Sequence, residues 1–304
     1  LADEVTVSEA AAGMGGSQAL LDAGGVYTVE DLLKSLIVAS ANDSAVALAE
    51  LLRGSEDAFA GRMNERAAEL GLSGTHYVNA SGLPAEGQHT TARDIAALSL
   101  EVLSHPLYFD YSTIWMDEIL HRNNRVTDLV NTNRLIRFYQ GATGLKTGST
   151  DSALYCLSGT AERDGMELIA VVLKSPTGQQ RFEDAKTLLN YGFSTYGLVH
   201  ASPEEPLPPV PVQLGAQGTV QPRVDPAEGL LLAEKSRLQG LEQTVTLPES
   251  AEAPVRQGDV LGTLTVTQNG ETVLEVPIRA AETVEKLTFG QMLLRLARTM
   301  CFCG

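Results

Sequence analysis

Five prolines fall within residues 201–211, at Pro203, Pro206, Pro208, Pro209 and Pro211. Each fixes φ near about −65° and removes a backbone donor, so neither a helix nor an interior strand runs through them. The stretch reads as an extended, fairly stiff linker. It cuts the chain into a larger part, 1–200, and a smaller one, 212–283, followed by a terminal segment, 284–304. A chain of 304 residues is long enough to bury one large core and one small one.

The larger part alternates between helical and extended periods. Thr28 followed by Asp31 resembles a capping box, and Leu32, Leu33, Leu36 and Ile37 then share one helical face up to Ser40. From Ser44 a second helical pattern, Val46, Ala47, Leu48, Leu51 and Leu52, runs to Gly54, a residue suited to ending it. A third repeats Phe59, Met63, Ala67 and Leu70 before Gly71. Further on, Ala153 to Ala161 and Glu167 to Leu173 are short, apolar and rich enough in β-branched residues to be buried strands. Arg163-Asp164-Gly165 forms the turn between them, and Phe182, Ala185, Leu188 and Leu189 return to helical spacing over one face of that sheet. Beyond the prolines, Leu264 and Val266 alternate toward Asn269-Gly270, and Leu274, Val276 and Ile278 alternate away from it, a strong hairpin signal. The expectation is an α+β domain of helices on an antiparallel sheet, then a small all-β module.

Several function classes are disfavoured. A formal charge of −16 repels phosphate backbones, so nucleic acid is not an expected partner. His76, His89, His105, His121 and His200 are scattered outside any HxxxH or HExxH spacing and are read as surface or loop residues, so no metal and no cofactor is expected. Cys156 reads as a small core residue, and Cys301 and Cys303 are too close for an easy disulfide. No run of some 18 apolar residues is present. The opening Leu1-Ala2-Asp3-Glu4-Val5 has neither an initiator Met nor the character of a signal peptide, so processing or truncation is expected to have removed what came before.

Chemistry concentrates in Ser40-Ala41-Asn42, on a loop between two apolar helices, and Lys146-Thr147-Gly148, just ahead of the expected hairpin. An SxN triplet occurs roughly once by chance in a chain of this length, whereas KTG occurs in about one such chain in fifteen. Together they are the second and third elements of the SxxK, SxN, KTG set of penicillin-recognising serine enzymes. A substrate ending in a carboxylate needs a fixed cation and a hydroxyl donor, which Lys146 and Thr147 supply from one strand edge. Gly148 lets a substrate backbone approach that edge as an added strand, and the N–H of Ser149 is placed to donate to an oxyanion. Ser40 lies where a hydroxyl relays a proton to a leaving amine, and Asn42 where it holds a substrate amide. The purely structural alternative is a helix-capping Ser and Asn with an exposed Lys on an edge strand.

The sequence resembles the D-Ala-D-Ala carboxypeptidase family of penicillin-binding proteins. The resemblance runs from Leu1 nearly to the C-terminus and rests on Asp3-Glu4-Val5-Thr6-Val7, Tyr27-Thr28-Val29-Glu30-Asp31-Leu32-Leu33, Leu70-Gly71-Leu72, Asn79-Ala80-Ser81-Gly82-Leu83, Thr91-Ala92-Arg93-Asp94, Asn131-Thr132-Asn133-Arg134-Leu135 and Gly144-Leu145-Lys146-Thr147-Gly148-Ser149-Thr150. It implies a penicillin-binding, β-lactamase-like catalytic domain, a β-rich domain and a C-terminal amphipathic anchor. It implies stem peptides of peptidoglycan ending in D-Ala-D-Ala as substrates, β-lactams as ligands, secretion, and a part for Arg181 in holding the terminal carboxylate.

One element departs from the family. No serine here has a lysine three positions on, so the SxxK nucleophile and base are expected about 20 to 30 residues upstream of Leu1, and these 304 residues alone are expected to be inactive. A silent wall-binding or scaffold protein is the alternative from another class. A class A β-lactamase is a lesser one, because 158 residues follow Lys146. In residues 287–304, Phe289, Met292, Leu293, Leu296 and Met300 fall on one helical face and Gln291, Arg295 and Arg298 on the other, which suits a membrane surface rather than a span. Cys301-Phe302-Cys303-Gly304 matches a prenylation box only formally.

Overall fold

A computed structural model of the chain describes residues 1–203 and 205–294. The chain divides into two compact units, Leu1–Phe193 and Ser194–Gly304. The division thus falls ahead of the proline-rich stretch.

In the first unit, β1 (Glu4–Thr6) precedes a short helix, α1 (Glu9–Ala12), and pairs antiparallel with β2 (Val26–Thr28). Thr28 then caps α2 (Val29–Val38) through the reciprocal bonds of a capping box with Asp31. Helix α3 (Asn42–Arg53) ends on Gly54 in the left-handed conformation, and α4 (Glu56–Glu69) follows from a Ser55 cap. Residues 42–49 of α3 are all buried, so this helix is central rather than one-sided. It packs with α2 around Leu32, Val38, Val46 and Leu48, against Val5 and Val7. Helices α5 (Ala92–Leu103) and α6 (Leu107–Ser112) lead to a hairpin of β3 (Met116–Leu120) and β4 (Val126–Val130). Its Ile119 and Leu129 close the same core, while Met116, Leu120, Val126 and Val130 face outward. His121 is the exception to the surface reading of the histidines: it is buried, with Nδ1 2.7 Å from the Tyr27 hydroxyl and Nε2 2.9 Å from that of Thr127. A ring with both nitrogens partnered meets the requirement for burying a polar group.

After the short α7 (Leu135–Phe138), the chain forms an antiparallel sheet of β5 (Ala142–Thr150), β6 (Leu154–Arg163) and β7 (Met166–Ser175), in that order, with β5 at an edge. The expected hairpin is β6–β7, turning at Asp164-Gly165, both with positive φ. Helix α5 lies against β6 and β7, with the Ser99 and Ser158 hydroxyls 2.8 Å apart. Helix α8 (Gly178–Thr195) buries Phe182, Ala185, Leu189 and Phe193.

Among its described residues the second unit, after the last turn of α8, is all-β apart from a short 3-10 turn and residues 289–294, which are helical. Strand β8 (Tyr196–His200) pairs with β12 (Leu230–Glu234), and β9 (Val210–Gln213) lies between β10 (Thr219–Val220) and β14 (Ala251–Glu252). A four-stranded sheet runs β11 (Pro222–Val224), β16 (Glu271–Ala280), β15 (Val260–Gln268), β13 (Leu241–Thr246). Asn269 and Gly270 both take positive φ in the β15–β16 turn, as the expected two-residue hairpin requires. Leu264, Val266, Val276 and Ile278 pack together in its buried face. Of the expected amphipathic helix, residues 295–304 lie outside the described residues.

Candidate active site

Ser40, Asn42, Lys146, Thr147, Gly148, Ser149 and Arg181 line one cavity of about 650 Å³ in the first unit. Strand β5 provides its floor, and the α2–α3 junction faces it.

That junction is shaped by Ser40, whose φ of +60° places a non-glycine residue in the left-handed region. Such strain persists where the surroundings over-determine it and is concentrated at functional sites. Here the hydroxyl of Ser40 accepts a 2.5 Å hydrogen bond from Nζ of Lys146. It caps nothing: the N-cap of α3 is Ala41, without a side-chain bond, and the Ser44 N–H donates instead to Asp43 Oδ1. The helix-cap explanation of the triplet therefore fails for Ser40. Asp43 is fully buried and also accepts from Ala19 N and Leu21 N, while the Asn42 side chain donates to Gly15 O at 2.8 Å and its N–H to Ser17 O. These two residues tie the loop 13–21 to the start of α3. Gly16 belongs to that arrangement, since a Cβ there would lie 2.7 Å from the Asn42 amide nitrogen.

On the opposite wall, side chains occupy the carbonyls at the start of β5. Ser112 donates to Thr143 O, Asn133 to Gly144 O, and Tyr108 to Leu145 O at 2.8 Å. Burial raises the Tyr108 phenol far above its usual range, so it stays a donor. From Lys146 onward the strand faces the cavity. The Lys146 ammonium also donates to Thr147 O, and burial, followed by the nearby Arg181 charge, lowers it from 10.5 to about 8. Thr147 donates to the hydroxyl of Thr132 at 2.7 Å. Gly148 is exposed, and a Cβ built on it would meet nothing within 4 Å, so the fold itself gives no reason for glycine at this position.

Arg181, in the first turns of α8, donates from Nη1 to Gly148 O and Cys156 O, and its guanidinium lies 4.8 Å from the Phe182 ring. Its Nε is buried without a hydrogen-bond partner. Among the described residues neither Lys146 nor Arg181 has a carboxylate within ion-pair distance. Two uncompensated cations beside a threonine hydroxyl suit an incoming carboxylate. No group of three metal-ligating side chains occurs among the described residues.

Sequence reasoning passed over several lining residues. Thr132 partners Thr147 from a loop distant in sequence, and Ser81, Gly82 and Leu83 close another side. Both belong to stretches used only for the resemblance. Cys156 corrects the expectation of a core residue: it sits opposite Gly148 in register, half-buried, in the wall of the cavity. Its neighbours are apolar in sequence, but alternation along β6 turns it away from the Leu157 side.

Comparison with known proteins places this architecture. The family model for D-alanyl-D-alanine carboxypeptidase matches residues 1–177, and that for the C-terminal domain of penicillin-binding protein 5 matches residues 209–286. The D-alanyl-D-alanine carboxypeptidase DacF of Bacillus subtilis is 35% identical over 297 residues, covering 97% of this chain and 76% of the relative. The carboxypeptidase DacC of Escherichia coli is 34% identical over 295 residues, covering 94% of this chain and 72% of its own length. Among solved structures, the carboxypeptidase DacD of Francisella tularensis superposes with a TM-score of 0.65 at 26% identity, over 94% of this chain and 82% of that one.

Proposed function

The chain belongs to the D-alanyl-D-alanine carboxypeptidase family, and on that premise we propose how its cleft divides the work of the reaction. At the level of the family, it is a serine-type D-Ala-D-Ala carboxypeptidase of the penicillin-binding class, with peptidoglycan peptides as substrates and β-lactams as ligands.

In the proposed division, the terminal D-alanine carboxylate is held by the Lys146 and Arg181 cations and the Thr147 hydroxyl. The stem peptide extends along β5 past Gly148, whose missing side chain leaves room for it, and the Ser149 N–H donates to the oxyanion. Asn42 orients the substrate amide. Ser40 passes its hydroxyl proton to the departing nitrogen and takes one back from Lys146. The observation that carries this reading is the 2.5 Å bond between Lys146 Nζ and Ser40 Oγ at an open strand edge. A lysine near 8 gives and regains a proton at working pH with little driving force lost. None of the serines in residues 1–304 has a lysine three positions on, so the parts of the reaction that these residues supply are binding and protonation. The same fact supports a second reading for these 304 residues by themselves, which is binding without turnover.

The proposal extends to location. Work on the cell wall places the protein outside the cytoplasm, and residues 287–304 would hold it at a membrane surface. Phe289 and Leu293, 80% and 60% exposed, support the apolar face of such an anchor. No helix among the described residues is long and apolar enough to cross a membrane. The net charge of −16 supports the further proposal that nucleic acid is not a partner.

The test is binding of a diacyl-Lys-D-Ala-D-Ala peptide, followed by saturation-transfer NMR, with penicillin as competitor. Binding that penicillin displaces and that Lys146→Ala abolishes is expected. Binding indifferent to both would sink the assignment. Fluorescent penicillin is expected not to label the chain covalently; labelling would place the nucleophile among its own serines, Ser40 being the first to replace.

A further inference from the structure

A second cavity, of about 750 Å³, adjoins the cleft, and Thr132 and Arg181 line both. Trp115, Val130, Phe138 and Phe182 form its apolar walls, and Asn131, Arg134 and Gln179 are the other polar side chains that line it. Trp115 and Phe138 meet edge to face with ring centroids 6.0 Å apart, and the Arg137 guanidinium packs against both rings. Phe138 and Val130 are 63% and 43% exposed, so a large apolar surface is left open beside a cationic site. None of the residues assigned to carboxylate binding or proton transfer needs this space.

The position of the cavity identifies what can enter it. The reading below rests on the carboxylate site proposed above. The α-carbon of the residue to be released carries three groups besides hydrogen. Its carboxylate goes to Thr147 and Arg181, and its nitrogen lies toward Ser40. The side chain is the group left over, and it leaves from a carbon one bond away from the carboxylate that Arg181 and Thr132 flank. A methyl group fills almost none of the adjoining space. We infer that the cavity lined by Trp115, Val130, Phe138 and Phe182 is a leaving-residue subsite that accepts stem peptides ending in a D-amino acid with a large apolar side chain. Dispersion and burial then discriminate in favour of such residues, because each methylene placed in a matched apolar pocket changes affinity roughly 10-fold or more. A cationic side chain gains nothing, since Arg134 and Arg181 repel it and its desolvation is uncompensated.

Trp115 is the single tryptophan of the chain, so its fluorescence reports occupancy without any turnover. The full chain is titrated with diacyl-Lys-D-Ala-D-Ala and with the same peptide ending in D-Leu or D-Lys. The D-Leu peptide is expected to bind at least about 10-fold more tightly than the D-Ala peptide and to shift the Trp115 emission, and the D-Lys peptide to show no gain. In Phe138→Ser, an exposed change that leaves the core intact, the D-Leu advantage is expected to collapse while D-Ala-D-Ala affinity is retained. If D-Ala-D-Ala binds through Lys146 but D-Leu gains nothing, or D-Lys gains as much, the subsite is refuted and the carboxylate site stands. If D-Ala-D-Ala binding is absent, or survives Lys146→Ala, both readings fall together.

Discussion

Lys146 carries a positive charge that burial disfavours, and its lowered value near 8 has two consequences of opposite sign. Unfolded, the side chain keeps its proton up to 10.5; folded, it loses it near 8. Between those values the unfolded chain binds more protons, so the unfolding free energy of the ligand-free protein should climb with pH, by at most about 3 kcal/mol. Urea midpoints at pH 7.5 and 10 check this, and Lys146→Met should lack the slope. A carboxylate ligand needs the charged form, so its affinity should fall as pH rises through 8, by up to about tenfold per pH unit. Calorimetry across that range tests it. Lys146→Arg should remove the pH dependence and keep part of the affinity, whereas Lys146→Ala should lose most of it. In a turnover-competent form, Ser40→Ala is expected to slow the chemical steps by roughly 10²- to 10⁴-fold, and an unchanged rate would remove Ser40 from proton transfer. The place of Lys146 in the cleft was legible from three letters, because Lys-Thr-Gly at a sheet edge is uncommon. Thr132 was not: its bond to Thr147 joins residues 15 apart across a loop, and no local pattern encodes such a contact.

Among the elements, α3 joins the core to the cleft. Its first turn includes the fully buried Asp43, which holds the N–H groups of Ala19, Leu21 and Ser44. Asp43→Ala leaves these donors unsatisfied and should cost about 3 kcal/mol in chemical denaturation. It should also speed amide exchange over residues 15–21 and weaken peptide binding, since Gly16 and Ser17 line the cavity. An Asp43→Ala protein with wild-type exchange there would show that the loop is held by something else. Elements with strong periodicity were legible before the structure: α2 and α4 from apolar spacing, β6–β7 from β-branched runs, β15–β16 from Asn269-Gly270. The hairpin β3–β4 was not, because its outward face carries Met116, Leu120, Val126 and Val130 alongside Glu118 and Asp128, which erases the usual inside-outside alternation. Strand β8 was hidden for another reason: its partner, β12, lies beyond the prolines.

For the molecule as a whole, charge distribution sets the next test. The chain is strongly acidic, yet the tail segment 287–304 holds Arg295 and Arg298. Co-sedimentation with anionic vesicles should retain the chain and lose a version ending at Glu285, with retention weakening as salt screens the arginines. Equal binding by both forms would exclude the tail as the anchor. At this scale two units were legible from the proline cluster, but their division at Phe193/Ser194 was not, because it depends on which strand β8 joins. The guarded edge of β5 has a consequence for the protein in a crowded compartment. An exposed strand edge is a template for any chain able to extend a sheet, including another copy of the same protein. Here Ser112, Asn133 and Tyr108 occupy the carbonyls up to Leu145, and only residues 146–150 face the cavity. An edge open over so short a length offers too little backbone to seed aggregation.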